Sequence, residues 1–290
     1  MQAMQFHAPT TVAEAVDKLA NSPQPAKVLA GGTDLLVQLR AGVIRPGSII
    51  DIKKIPETHL ISIAESGTSI GASISGAEFN EHPELPEIWP GLAEAFDIIG
   101  STQVQGRATL AGNLCNASPA ADSVPAMIAA GAIAHIAGPN GQREVAVEEI
   151  PTGPGKTQLA PGEFIVSFSL PKRETRSGDA YLRMTPRSEM DIAIVGIGVN
   201  ITLDAQGLCT SARVGLGAVA PTALRVDAAA EALVGTKLED AAIEKMQAAV
   251  RAACKPIDDK RGTIEYRIHI AGVLAKRAVE IALQRANANQ

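Results

Sequence analysis

Two glycine-bearing segments, about eighty positions apart, carry the clearest chemistry in this chain. One is Val28-Leu29-Ala30-Gly31-Gly32-Thr33-Asp34-Leu35, the other Thr109-Leu110-Ala111-Gly112-Asn113. Each leaves an apolar run and enters a helix-like pattern. Glycine bares backbone N–H groups, and these bind phosphate without help from side chains. Two such turns closing over one long anionic ligand therefore predict a site for a pyrophosphate-type group. For Gly31-Gly32 alone, a tight strand-to-helix connection relieved by glycine is the competing reading. Asp34 fits a phosphate site only if its carboxylate turns away as a cap or accepts hydrogen bonds from its own helix. Beside the second turn, Asn116, Ser118 and Asp122 add polar groups to an apolar stretch, which predicts a ligand channel. Helix capping by Asn116 or Ser118 is the alternative there.

Other constellations fall away on context. Gly153-Pro154-Gly155-Lys156-Thr157 ends like a phosphate loop, but its first glycine is missing at Ile150 and no strand feeds it, so it reads as a surface loop. Gly215-Leu216-Gly217-Ala218-Val219-Ala220 formally fits a dinucleotide fingerprint, yet Pro221 falls where the helix must propagate. The five histidines lack metalloprotease spacing, and no serine sits in a nucleophile elbow. Cys115, Cys209 and Cys254 are too far apart for a disulfide framework or a metal knuckle. With net charge −5 and no basic patch, the chain offers no nucleic-acid surface. Aromatic residues make up 3%, so a flat cofactor must be gripped mainly by aliphatic groups and backbone. The N-terminal residues lack the basic-then-apolar order of a secretory leader, and the longest apolar tract, 126–137, is too short to span a bilayer. A cytoplasmic location is the expectation.

The elements that must position these residues follow from periodicity. Val12, Val16 and Leu19 share a helical face. A short buried strand over 26–30 breaks at the glycine pair, and Leu35, Leu36 and Leu39 restart a helix with Thr33 or Asp34 as N-cap. Further on come a strand at 48–52, a hairpin over 61–71 bending at Gly67, helices over 92–99 and 120–130, and a hairpin over 133–147. A strand at 164–170 precedes a polar linker, 172–179. The apolar run 192–203 reads as a strand buried on both faces, partnered by 211–219, and three helices follow at 226–233, 239–253 and 264–285. The fold class is α+β with a helix-rich C-terminal third.

The segments Ala30-Gly31-Gly32-Thr33-Asp34-Leu35-Leu36, Thr109-Leu110-Ala111-Gly112-Asn113-Leu114 and Asn116-Ala117-Ser118-Pro119-Ala120-Ala121-Asp122 together closely resemble the FAD-binding medium subunit of molybdenum hydroxylases. Carbon monoxide dehydrogenase flavoproteins and the flavin domain of xanthine dehydrogenases belong to that family. The resemblance runs nearly end to end, through 99–105, 153–163, 187–193, 217–222 and 261–267. It implies a two-lobed FAD-binding fold of the vanillyl-alcohol oxidase type over 1–175 (lobes about 1–56 and 57–175), then a C-terminal flavoprotein domain over 176–290. It further implies that Val28, Leu29, Ala30, Gly31, Gly32, Thr33, Asp34 and Leu35, with Thr109, Leu110, Ala111, Gly112 and Asn113, wrap the FAD pyrophosphate and ribityl chain. Asp122 would hydrogen-bond the cofactor, beside Ser118, and Ile99 would lie against the flavin ring where xanthine dehydrogenases carry an aromatic. Ile165 and Arg183 match flavin-lining positions, the latter a lysine in xanthine dehydrogenases; Ala111 and Gly106 replace a commoner glycine and asparagine. The implied activity is electron relay: from a molybdopterin-binding large subunit through [2Fe–2S] clusters of a small subunit to FAD here, then to an external acceptor, in what is commonly a dimer of heterotrimers. A self-sufficient FAD oxidoreductase with its own substrate site, and an assembly subunit with a decayed flavin site, are the alternatives.

Overall fold

A computed structural model describes residues 4–188 and 190–289; Met1, Gln2, Ala3, Glu189 and Gln290 lie outside them. The chain opens as β1 (Gln5–His7), α1 (Val12–Ala20), β2 (Ala26–Leu29), α2 (Leu35–Arg40) and β3 (Ser48–Asp51). The three strands form a parallel sheet with β3 in the centre. Ile49 and Ile50 of β3 are fully buried, as a central parallel strand requires. Thr11 caps α1 by accepting from the Glu14 N–H, and Val12, Val16 and Leu19 pack on the core as their spacing predicts.

An antiparallel sheet of five strands follows: β4 (Ile61–Ala64), β5 (Gly67–Gly71), β6 (Ile133–Gly138), β7 (Gly141–Ala146) and, after the small hairpin β8 (Pro151–Gly153) and β9 (Lys156–Thr157), β10 (Phe164–Pro171). Its order is β4-β5-β10-β6-β7. Between β5 and β6 run six helices: α3 (Gly76–Asn80), α4 (Leu85–Ile88), α5 (Pro90–Asp97), α6 (Thr102–Gln105), α7 (Leu110–Asn116) and α8 (Ser123–Ala130). Trp89, Phe79, Phe96 and Phe168 fill the core they share with the sheets. The expected turn at 109–113 is therefore a helix start: Thr109 is an N-cap and the chain winds on to Asn116.

The last part is a four-stranded antiparallel sheet, β11 (Ser177–Met184), β12 (Val195–Leu203), β13 (Cys209–Gly217) and β14 (Leu224–Arg225), with α9 (Asp227–Glu231), α10 (Asp240–Ala253) and α11 (Ile264–Ala288). Two expectations shift here. The polar stretch 172–179 runs into β11 at Ser177, and the apolar run enters the sheet only at Val195. The second shift has a physical cause: Asp191 is tied to Arg187 and Arg261 at 3.6 and 3.5 Å, and Ile192 is left exposed.

β12 is buried on both faces, and its composition differs between them. Val195, Ile197, Val199 and Ile201 belong to a core with Ala271, Ala275, Ala278 and Ala282 of α11. The alternate positions, Gly196 and Gly198, together with Gly215 and Gly217 of β13, form the other face, where α8 lies. A Cβ at Gly198 or Gly215 would overlap the Pro125 carbonyl. The glycine spacing that mimics a dinucleotide fingerprint is thus a packing device. Polar ties close the same seam. Asp179 accepts from the Gly91 N–H (2.9 Å) and from Arg173 (2.7 Å), and Glu94 accepts from the Tyr181 N–H (2.8 Å) and from Arg285.

Gly215→Ala is expected to destabilise the protein by about 1–3 kcal/mol, the usual cost of overpacking a core. Urea unfolding should show a lowered midpoint at unchanged slope; an unchanged midpoint would contradict the close approach of β13 to α8.

Candidate functional site

The fold brings the two glycine segments into direct contact. Gly31 lies so close to the backbone of Arg107 and Ala108 that a Cβ there would overlap the Arg107 carbonyl oxygen. Gly32 has φ +83°, a conformation an L side chain strains to adopt. Two side chains brace the first segment, one from its own sheet and one across to α7. Lys53 Nζ donates to the Ala30 carbonyl at 3.1 Å while paired with Asp51 at 2.6 Å. Gln38 Nε2 donates to Asn116 Oδ1 at 3.0 Å and so joins α2 to α7.

Between the segments lies a cavity of about 840 Å³, within the range of roughly 300–1,000 Å³ typical of cofactor sites. Val28, Ala30, Gly31, Gly32, Thr33, Asp34 and Leu35 line one side; Thr109, Ala111, Gly112 and Asn113 line the other, with Ile99 and Ile165 also in the wall. The N–H groups of Gly32, Thr33 and Asp34 donate to no acceptor among the described residues. Thr109 Oγ1 accepts from the Gly112 N–H at 3.0 Å and fixes the first turn of α7. Asn113 Oδ1 accepts from the Ser123 N–H and hydroxyl, at 3.2 and 2.7 Å, which orients its amide. Ala111 lies in the first turn of α7, where helical backbone accommodates its methyl group.

Five of the site residues expected from sequence lie outside this lining. Leu29 and Leu110 are buried beneath the turns. Ser118 sits in the turn after α7, its hydroxyl accepting from the Ala120 N–H. Asp122 and Arg183 pair with one another at 2.8 Å, and the Tyr181 hydroxyl donates to Asp122 at 2.9 Å. Burial drives the Asp122 carboxyl up to about 6, against the opposing pull of Arg183 and Tyr181. Asp34 also departs from expectation. It makes no side-chain cap bond to α2 but lines the cavity, and burial raises its pKa, which eases its protonation beside an anion.

Sequence reasoning missed part of the wall. Gly155 and Thr157, read as surface loop, line the cavity because the Gly155 N–H donates to the Ala117 carbonyl at 2.9 Å. Cys115 lines it too, its thiol pushed up to about 12 by burial and hence protonated.

The model for the FAD-binding domain of molybdopterin dehydrogenases matches residues 2–173, and that for the C-terminal domain of CO dehydrogenase flavoproteins matches residues 180–282. The chain belongs to the FAD-binding subunits of molybdenum hydroxylases. It is 32% identical to the carbon monoxide dehydrogenase medium chain of Afipia carboxidovorans, over 97% of this chain and 97% of that one. It is 31% identical to the xanthine dehydrogenase FAD-binding subunit of Escherichia coli O157:H7, over 97% and 96%. Among solved structures, a chain of carbon monoxide dehydrogenase from Hydrogenophaga pseudoflava superposes with a TM-score of 0.92 at 34% identity, covering 97% of this chain and 98% of that one.

The donor set suits the family's cofactor. Unpartnered N–H groups and bare glycine backbone are the donors a pyrophosphate requires, and the aliphatic wall of Val28, Ile99 and Ile165 offers flat rings an apolar surface. Gly31→Ala, which forces the two segments apart, is expected to weaken FAD retention tenfold or more, at least about 1.4 kcal/mol. Flavin absorbance after gel filtration checks this; full occupancy would show that the contact does not shape the site.

Proposed function

We propose that this subunit is the electron-relay flavoprotein of a molybdenum hydroxylase. Val28–Leu35 and 109–113 hold the FAD pyrophosphate and ribityl chain, Ile99 and Ile165 flank its rings, and Ser118, Asp122 and Arg183 contact the cofactor from the α8–β11 side. The division of labour follows the two family matches, with 1–175 binding FAD and 176–290 completing the site. When bound, FAD supplies a two-electron store that can accept electrons singly and release them in pairs.

Partner chains complete the reading. A molybdopterin-binding large subunit hydroxylates the substrate, and [2Fe–2S] clusters on a small subunit deliver the electrons, in a dimer of heterotrimers in the cytoplasm. NAD⁺, O₂, a quinone or another carrier removes them. The end-to-end match of both family models, joined to a cavity walled by both glycine segments, is the observation that carries this. Cys209 and Cys254 are buried, and burial pushes their thiols up to about 11. No helix of the described residues is long and apolar enough to cross a membrane.

Affinity purification of the tagged chain from its host tests the assembly. Flavin bands with iron–sulfur absorbance and two co-eluting chains are expected, whereas a solitary yellow protein that turns over substrate would overturn the relay. Gly112→Asp tests the site. A Cβ at Gly112 meets only the Thr109 hydroxyl, at 3.0 Å, so the substitution places a carboxylate in the cavity with little backbone cost. Flavin occupancy is expected to fall more than tenfold while stability changes by less than about 1 kcal/mol. Gly32→Asp is expected to lose flavin and stability together, because positive φ and the nearby Leu29 side chain add strain.

A further inference from the structure

Tyr181 has no place in the cavity wall, yet it is almost fully buried and its hydroxyl donates to Asp122 Oδ1 at 2.9 Å. Arg183, two residues on along β11 and on the same face of the strand, donates to Asp122 Oδ2 at 2.8 Å. Each oxygen of the carboxylate therefore has its own donor. The neighbouring strand is shaped around the phenol, since a Cβ at Gly196 of β12 would crowd the Tyr181 oxygen. Asp122 adjoins Ser123, which holds the cavity-lining Asn113. The carboxylate is thus coupled to the floor of the site by one peptide unit.

The groups around Asp122 leave its charge in the hands of these two donors. From β11 it faces Tyr181 and Arg183, and β12 packs against the phenol at Gly196. On α5, Glu94 accepts the Tyr181 backbone N–H, but its carboxylate is engaged by Arg285. Arg213 of β13 is directed to the Ile128 carbonyl and Glu148. Asn113 and Ser123 are neutral.

We infer that Tyr181 is a positioning residue that keeps Asp122 ionised in its pair with Arg183, and through that pair sets the reduction potential of the bound flavin. This rests on the reading of the cavity as an FAD site with Asp122 and Arg183 at the ring end. The physical chain is short. Burial disfavours the Asp122 carboxylate, and a hydrogen bond to the charged form offsets this. Removing the phenol hydroxyl leaves the carboxyl easier to protonate. A neutral Asp122 leaves the Arg183 charge uncompensated, and uncompensated positive charge beside a flavin favours its more negative, reduced form. Loss of the hydroxyl must therefore raise the potential. Acidification through about pH 6 must do the same in the unaltered protein, because it protonates the same group.

The test is the flavin midpoint potential as a function of pH, measured by spectroelectrochemistry on the native assembly. Tyr181→Phe, which keeps the ring in its place, is compared with Asp122→Asn and with the double substitution. A positive shift at neutral pH in Tyr181→Phe, with the bend of the potential–pH curve moved to higher pH, is expected. Asp122→Asn should give a positive shift without the bend, and adding Tyr181→Phe to it should change nothing further. If Asp122→Asn shifts the potential but Tyr181→Phe does not, the role of Tyr181 is overturned and the FAD site stands. If neither shifts it in flavin-loaded protein, Asp122 does not act on the ring and the inference fails with that placement. An assembly without flavin in this subunit overturns the site itself.

Discussion

Everything at the site depends on a backbone-to-backbone approach that only glycine permits. Gly31 lies against the Arg107 carbonyl and the Ala108 Cα, with no room for a Cβ between them. This contact fixes the separation of the first sheet from the α6–α7 segment, and the cavity is the space left alongside it. Backbone contact sets that distance more firmly than side chains could, because no rotamer can relax it. Lys53 to the Ala30 carbonyl braces the first segment against its own sheet, and Gln38 to Asn116 ties that segment's helix to α7. The N–H groups of Gly32, Thr33 and Asp34, which lead into α2, have no acceptor among the described residues, as the start of a helix leaves its first donors free.

The C-terminal part extends this logic to a second surface. Alternating glycines on β12 and β13 admit the Pro125 carbonyl of α8, while the intervening Val, Ile and Leu residues bury against α11. The sheet therefore sits between a helix of the first part and a helix of its own. That placement brings β11 beside the start of α8 and makes the Asp122–Tyr181–Arg183 cluster possible. Glu94 and Asp179, each with two donors drawn from different elements, hold the seam in register. Breaking such partly buried pairs one partner at a time strands a charge, which is why the seam resists drift.

The resulting wall sets a few titratable groups among amides and apolar surface. The cavity wall holds the protonated Cys115 thiol, the Asp34 carboxylate with its raised pKa, Lys27, Glu163, amides, hydroxyls and aliphatic carbon. Such a wall binds a cofactor and adjusts its surroundings.

Much of this was written locally. The helix face of Val12, Val16 and Leu19, the hairpin around Gly67 and both glycine segments were legible because their signals repeat or lie together over short stretches of chain. The order of motifs along the chain was enough to place it in its family. The remainder depended on partners far away in sequence. Asp34 looked like a cap, yet burial places it in the cavity wall; Ile192 looked like core, yet the ties of Asp191 to Arg187 and Arg261 keep it out of the sheet. Gly155 joined the site through the Ala117 carbonyl, and Tyr181 met Asp122 across fifty-nine positions. Periodicity records which face of an element is apolar, so the sequence alone determined the elements, the glycine turns and the family. Which backbone each glycine approaches and which donor each buried carboxylate receives were decided only by tertiary packing, because those contacts join residues whose separation leaves no local pattern.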